Sequence, residues 1–225
     1  MGPDFETDEV DFLSLLSEAN RRLVLESSTK IEYPAGAIAY TPESPLRAYL
    51  LDRGLARAYV SVPDGRQATT TFFHSRELIG GTAIVSHPPK ILVQVVVKST
   101  LTSLDLPKVR KLAATESQVT AAIAVHLAAL VRNAYRLIAV RSLGDIRGRL
   151  AYDLLDRACR SQLVVGRLET KATQADLADS IGSAREVVGR NLSRLREEGI
   201  VETTPGMVRV IDPLRLAGIV RAFVI

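Results

Sequence analysis

The chain has 225 residues, 47% of them hydrophobic and 24% charged, with a formal net charge of +4. That length and balance are ordinary for a soluble globular protein of one large domain or two small ones. The single cysteine, Cys159, excludes an intramolecular disulfide framework and a four-cysteine iron–sulfur cluster; its apolar helical setting reads as a small core residue rather than a redox sensor.

Charge is spread unevenly, though mildly. Residues 1–30 carry seven acidic and three basic side chains, and residues 141–225 carry fourteen basic and eleven acidic ones. A +3 excess over the C-terminal third is too small to prove a polyanion partner, so that argument has to rest on motifs. The acidic N-terminus lacks a signal-peptide pattern, and the longest apolar tract, Val119 to Val131, is broken by His126 and is too short to span a bilayer. A cytoplasmic protein without a membrane partner is expected.

In chain order, residues 8–26 read as one or two helices, with Phe12, Leu15, Leu16, Leu23 and Leu25 among charged residues. From Ile31 the period shortens. Strands are expected at Ala37 to Tyr40, Ala48 to Leu51, Ala56 to Val62, Thr69 to Phe73, Ile91 to Val97 and Leu101 to Leu106, with a hairpin turn at Asp64-Gly65. Many short strands separated by turn signals indicate a jelly-roll or barrel. Residues 109–140 then read as one long helix. Within it Val119, Ile123, Leu127, Leu130, Ala134, Leu137 and Val140 alternate three and four apart, the spacing of a coiled-coil seam. Arg141-Ser142-Leu143-Gly144 interrupts it, and Asp145 can cap a further helix, Ile146 to Cys159.

The most informative stretch is Thr173 to Leu195. Thr173 is an N-cap candidate with Asp176 three residues on, Leu177 and Ile181 recur at helical spacing, and Gly182 ends the segment. Ser183 is expected to start a second helix with Glu186 closing a capping box, and Val188, Leu192 and Leu195 form its apolar stripe. The pattern is a helix-turn-helix. Arg185, Glu186 and Arg190 lie off the stripe in the first two turns, where recognition helices touch base edges; Arg can pair with guanine O6 and N7, and Glu can accept from cytosine N4. Gly189 allows the backbone near DNA. Thr173, Ser183, Ser193 and Arg209 are candidates for phosphate or wing contacts. An amphipathic helix with a solvated charged face reads the same charges without DNA. The context favours the first reading: Ile200 to Thr203, Thr204-Pro205-Gly206 and Met207 to Ile211 form a β-hairpin, the wing of a winged helix, and Asp212-Pro213 starts a last short helix.

Thr-Gln-x-x-Leu-Ala-x-x-Ile-Gly-x-x-Arg-Glu-x-Val-x-Arg-x-Leu-x-x-Leu-x-x-x-Gly-Ile, from Thr173 to Ile200, resembles the DNA-binding domain of the CRP/FNR family of bacterial transcription regulators. Asp145-Ile146-Arg147-Gly148-Arg149-Leu150-Ala151 resembles the family as well, and the strand order resembles its double-stranded β-helix sensor domain. The resemblance implies an α+β protein: a cyclic-nucleotide-binding-like jelly-roll over residues 1–108, a dimerisation helix over 109–142 and a winged helix-turn-helix over 143–225. It also implies that Arg185, Glu186 and Arg190 read a TGTGA-like half-site, that a homodimer binds palindromic double-stranded DNA, and that RNA polymerase is a protein partner. A two-fold pair of readers is reasonable on geometry alone, since one helix-turn-helix makes a small interface.

Where the family's cyclic-nucleotide binders carry Gly-Glu, this chain has Gly80-Gly81; where they carry Arg-Ser for the phosphate, it has Ile91-Leu92. The helix positions expected to offer hydroxyls to adenine fall near Ala134 and Tyr135. A buried phosphate depends on the bidentate arginine fork, so an unknown effector or none is expected in the region of Gly80, Gly81, Ile91, Leu92 and Tyr135. Lys90 and Arg76 leave a weaker anionic site open. His74, His87 and His126 show no metal- or haem-ligand spacing, and no catalytic motif is present, so no cofactor, no metal and no enzyme activity is expected. The expected function is a dimeric DNA-binding regulator without a cyclic-nucleotide response. A cyclic-nucleotide-responsive regulator, and a regulatory protein that uses its winged helix for protein contacts, remain as alternatives.

Overall fold

The computed structural model describes residues 10–63 and 67–222, so the Asp64-Gly65 turn lies outside the described residues. The chain divides into two compact units, residues 1–133 and 134–225.

The first unit opens with a 3₁₀ turn, Phe12–Leu15, and helix α1, Glu18–Leu25, capped by Ser17. Strands follow at β1 Thr29–Tyr33, β2 Ile38–Tyr40, β3 Tyr49–Arg53, β4 Leu55–Ser61, β5 Gln67–His74 and β6 Leu78–Ile79; then come helix α2 Gly81–Val85, β7 Leu92–Val95 and β8 Ser99–Ser103. They form two antiparallel four-stranded sheets, ordered β1-β8-β3-β6 and β2-β7-β4-β5. Strand alternation distributes the side chains between two cores. Leu51 and Ile79 of one sheet join Ala56, Ala58, Phe73, Val93 and Val95 of the other in the first core. Their neighbours Leu50 and Leu78 enter a second core with Phe12, Val24, Ala83, Val109 and Ile123, where helices cover the sheet. Gly54 turns β3 into β4 at φ 125°, and a Cβ there would overlap the Ser99 side chain.

Two expectations are corrected here. The strand expected over Leu101 to Leu106 ends at Ser103, and the long helix expected over 109–140 is two helices, α3 Leu106–Thr115 and α4 Ser117–Leu143. Asp105 starts α3 by accepting from the Lys108 N–H at 3.2 Å. Glu116 is extended (φ −107°, ψ 103°), and the Thr120 hydroxyl donates to the Ala113 carbonyl at 2.5 Å, so hydroxyl bonding satisfies the end of α3 across the break.

The expected seam is also corrected. Val119 and Ile123 are buried in the second core, with Leu127 packed against it; Leu130 packs against the first core, and Leu137 and Val140 are buried too. The exposed row of α4 is Ala121, Ala124, Ala128, Val131, Tyr135, Ile138 and Ser142. It repeats three and four apart without a break, one face round from the expected one. At 27 residues, with mean hydropathy 1.4 over its most apolar 18, α4 is long and apolar enough to cross a membrane by length and composition. The expected tract is thus half of a longer apolar helix, a third of whose apolar window is buried in the protein.

In the second unit, Gly144 ends α4 where a Cβ would strike the Val140 carbonyl, and Asp145 accepts from the Gly148 N–H at 2.7 Å to start α5, Ile146–Val165. Strand β9 Glu169–Lys171, α6 Gln174–Ile181, α7 Arg185–Glu197, the hairpin β10 Val201–Thr204 and β11 Met207–Val210, and α8 Pro213–Arg221 complete it. The sheet order is β10-β11-β9. Leu150, Leu154 and Leu155 of α5, Leu177 of α6, Leu195 of α7 and Leu216 of α8 are fully buried, and Cys159 is a buried thiol in no disulfide.

Candidate nucleic-acid interface

Thr173 closes a capping box on α6. Its hydroxyl accepts from the Asp176 N–H at 3.1 Å, and the Asp176 carboxylate accepts from the Thr173 N–H and hydroxyl, both at 2.8 Å. Those bonds hold the Asp176 carboxyl below its ordinary pKa. They also commit the Thr173 hydroxyl to the cap, so it is not presented as a free phosphate donor. Gly182 ends α6 in the left-handed region (φ 61°, ψ 56°), and the Ser183 N–H returns to the Ala178 carbonyl at 2.9 Å.

The start of α7 differs from expectation. Its N-cap is Ala184, which has no side chain to cap with, and Ser183 lies in the turn, so no capping box with Glu186 forms. The shift places Arg185 and Glu186 in the first turn itself. Val188, Leu192 and Leu195 bury one face of α7 against the unit. On the other face Arg185, Glu186, Arg190 and Arg194 are exposed, and among the described residues none of the four side chains forms an ion pair or hydrogen bond. Their neighbours behave otherwise. Arg147 pairs with Glu198 at 2.7 Å, Arg157 with Asp153 at 2.7 Å and Arg160 with Asp156 at 3.0 Å.

Arg209 departs from its expected place as a phosphate contact: it lies between Glu169 and Glu202, 3.5 Å from each, and its charge is offset within the wing. Ser193 is half-buried on α7. Gly189 has a neighbour that sequence reading missed. An added Cβ would lie 3.2 Å from Oε1 of Gln174, so the space beside this glycine is filled by an amide from α6. A groove of about 630 Å³ runs between the start of α6, Arg185 and the wing residues Thr203 and Thr204. At the far end of α7, Glu198 takes the Arg147 guanidinium on its carboxylate and the Arg215 guanidinium on its backbone carbonyl at 2.8 Å. The bond from Arg147 holds the Glu198 carboxyl below its ordinary range.

In the first unit, Gly80 caps α2 at φ 81°. A side chain at Gly81 would force His126 to shift, since a Cβ would meet its Cδ2 at 2.7 Å and Nε2 at 3.0 Å. His126 is 2% exposed and lies edge-on to Phe12 at 6.4 Å; burial pushes its pKa down to about 4. Ile91 packs against the core between the sheets, Leu92 is half-buried on β7, and Tyr135 is 62% exposed on α4. Sequence reading passed over Arg57, which is fully buried on β4. Its guanidinium donates to Gln94 at 2.7 Å, Thr69 at 3.1 Å and Gln67 at 3.0 Å, and it lies 4.4 Å from the centre of the Tyr59 ring. An arginine between Ala56 and Ala58 in an apolar strand was the available signal. Among the described residues, no group of three or more His, Cys, Asp or Glu side chains could hold a metal ion.

A Crp-like helix-turn-helix domain model matches residues 148–219. Over 205 residues the chain is 30% identical to the cyclic AMP receptor protein of Thermus thermophilus, an alignment covering 90% of this chain and 88% of that one. The chain belongs to the CRP/FNR family. Another family relative is the CRP-like cAMP-activated global transcriptional regulator of Mycobacterium tuberculosis, 24% identical over 83% of this chain and 86% of its own. The CRP/FNR fold is found again in a putative regulator from Eubacterium rectale, with a TM-score of 0.58 at 20% identity over 92% of this chain and 96% of that one. Jelly-roll, long helix and winged helix-turn-helix thus form the CRP/FNR architecture, and its named members are transcription regulators with a helix-turn-helix domain.

Proposed function

We propose that this protein is a homodimeric regulator that reads a palindromic, TGTGA-like DNA site through Arg185, Glu186 and Arg190, and that it does not respond to cyclic nucleotide. The observation that carries the reading is the exposed face of α7, whose charged side chains are left without intramolecular partners among the described residues. In a fold that pairs most of its other arginines nearby, such a face suits base edges and phosphates. A cytoplasmic location and contact with RNA polymerase belong to the same reading. Residues 1–108 serve as the roll, 109–142 as the dimer segment and 143–225 as the DNA-binding domain. Ser183, Gly189 and Ser193 line the approach to the duplex.

Arg185→Ala is expected to cost roughly 1–3 kcal/mol per half-site and to relax preference at one G·C pair. Binding selection on randomised half-sites, spaced about 10 to 10.5 base pairs centre to centre, at two salt concentrations is the check. Uniform weakening with base preference intact, and a salt slope lower by about one unit, would instead make Arg185 a phosphate contact.

The cyclic-nucleotide half of the proposal rests on two positions. His126 occupies the space that a carboxylate side chain at Gly81 would need, and Ile91 adds apolar surface to the core where a guanidinium would be required. Calorimetric titration with cyclic AMP or cyclic GMP is therefore expected to show no micromolar binding. A micromolar Kd, or a nucleotide-dependent change in DNA affinity, overturns it.

A further inference from the structure

Gln174 opens α6, outside the recognition helix, yet its amide lies on that helix. An added Cβ at Gly189 would lie 3.2 Å from Oε1, 3.6 Å from Cδ and 3.7 Å from Nε2 of Gln174. The amide thus fills the space where a side chain at position 189 would begin. That position is one turn beyond Arg185 and adjoins Arg190, so the amide is set among the candidate readers. Gln174 borders both the groove containing Arg185 and the surface containing Glu186, Gly189 and Arg190. It is exposed, and among the described residues its amide makes no hydrogen bond. Two donors and an acceptor are therefore available beside Arg185, Glu186 and Arg190.

We propose that Gln174 is a further base-reading side chain, which takes over from α6 the contact that glycine at 189 cannot make. Its chemistry selects adenine, whose N6 and N7 match the carboxamide's acceptor and donor. The inference rests on the DNA-reading function proposed above. It also changes the meaning of Gly189: the missing side chain makes room for Gln174, whereas the sequence suggested close approach of backbone to DNA.

The test is binding selection on randomised half-sites with the full-length protein, three single variants and one double variant. Gln174→Ala is expected to lose an adenine preference of roughly 5- to 150-fold at one position per half-site and to keep the preferences set by Arg185 and Arg190. Gln174→Glu, which keeps the length but only accepts, is expected to move that position toward cytosine. Gly189→Ala pushes the amide aside by a few tenths of an ångström and is expected to weaken the same preference, with no added effect in the Gln174→Ala background. The position is exposed, and circular dichroism verifies that each variant is folded. If Gln174→Ala weakens all sequences equally, or leaves selection unchanged, the proposal is overturned and the DNA-reading function stands. If the wild-type protein selects no sequence, that function fails and the proposal fails with it.

Discussion

Replacing Val131 and Ile138 together with glutamate is expected to give a folded monomer that has lost tight operator binding. Both side chains are solvent-exposed, at 52% and 62%, beside Tyr135 at 62%, on the exposed row of α4. Fully burying an exposed valine or isoleucine contributes about 1.5–3 kcal/mol; these are a little over half exposed and a two-fold pair contains four of them, so roughly 3–7 kcal/mol is at stake. That is a large share of the free energy of a micromolar to nanomolar dimer, about 8–12 kcal/mol, and facing carboxylates add repulsion. Leu127 and Leu130 are the wrong residues to change, because they are partly buried against the protomer's own cores and glutamate there would destabilise the fold as well. Sedimentation velocity is the check. A dimer that survives both substitutions shows that copies meet on another face.

Between about pH 6.5 and pH 4 the first unit is expected to lose up to about 3 kcal/mol of stability through His126, whose pKa burial pushes down to about 4. The sign follows from proton uptake. In this window the unfolded chain binds a proton at His126 and the folded chain does not, so lowering the pH favours unfolding. Above pH 6.5 both states are neutral there and the effect vanishes. The carboxylates of Glu32, Asp176 and Glu198, all held low by hydrogen bonds, lose their contribution only in more acidic solution. Denaturant unfolding at pH 7.5 and pH 5 should therefore differ by about 2 kcal/mol in the wild-type protein. The difference should largely disappear in His126→Leu, which fills similar space without titrating. An unchanged slope in that variant would assign the pH dependence to other groups.

The helix-turn-helix was legible because each of its signals is local. Thr173 and Asp176 cap within one turn, Gly182 supplies a left-handed stop, and Val188, Leu192 and Leu195 mark one face of a single helix. The wing was legible for the same reason. What escaped depends on contacts distant in sequence. Strand β9 has three residues and is defined only by pairing with β11. On α4 two apolar rows both repeat three and four apart, and periodicity cannot say which row meets the protomer's own core. The larger side chains of Val119, Ile123 and Leu127 drew the seam to the row that the roll already covers. Gln174 and Gly189 are fifteen positions apart, and nothing in the sequence brings them together. The departures at Gly81 and Ile91 were visible as residue types, while the steric reason, His126, required the fold.

The Arg147–Glu198–Arg215 cluster bears on how finely the readers can be aimed. It holds the C-terminal end of α7, and the helix of 13 residues places Arg185 about 20 Å away along its axis. Over that arm a tilt of about 5° sweeps the first turn through roughly 2 Å, more than the whole range of useful hydrogen-bond lengths. The pair from Arg147 adds little to stability for a partly exposed contact; the angle is set by the buried Val188, Leu192 and Leu195, and the cluster ties the far end of the helix to α5 and α8. Salt that screens the cluster therefore leaves the helix seated, and its effect on DNA binding is expected to come through the phosphates.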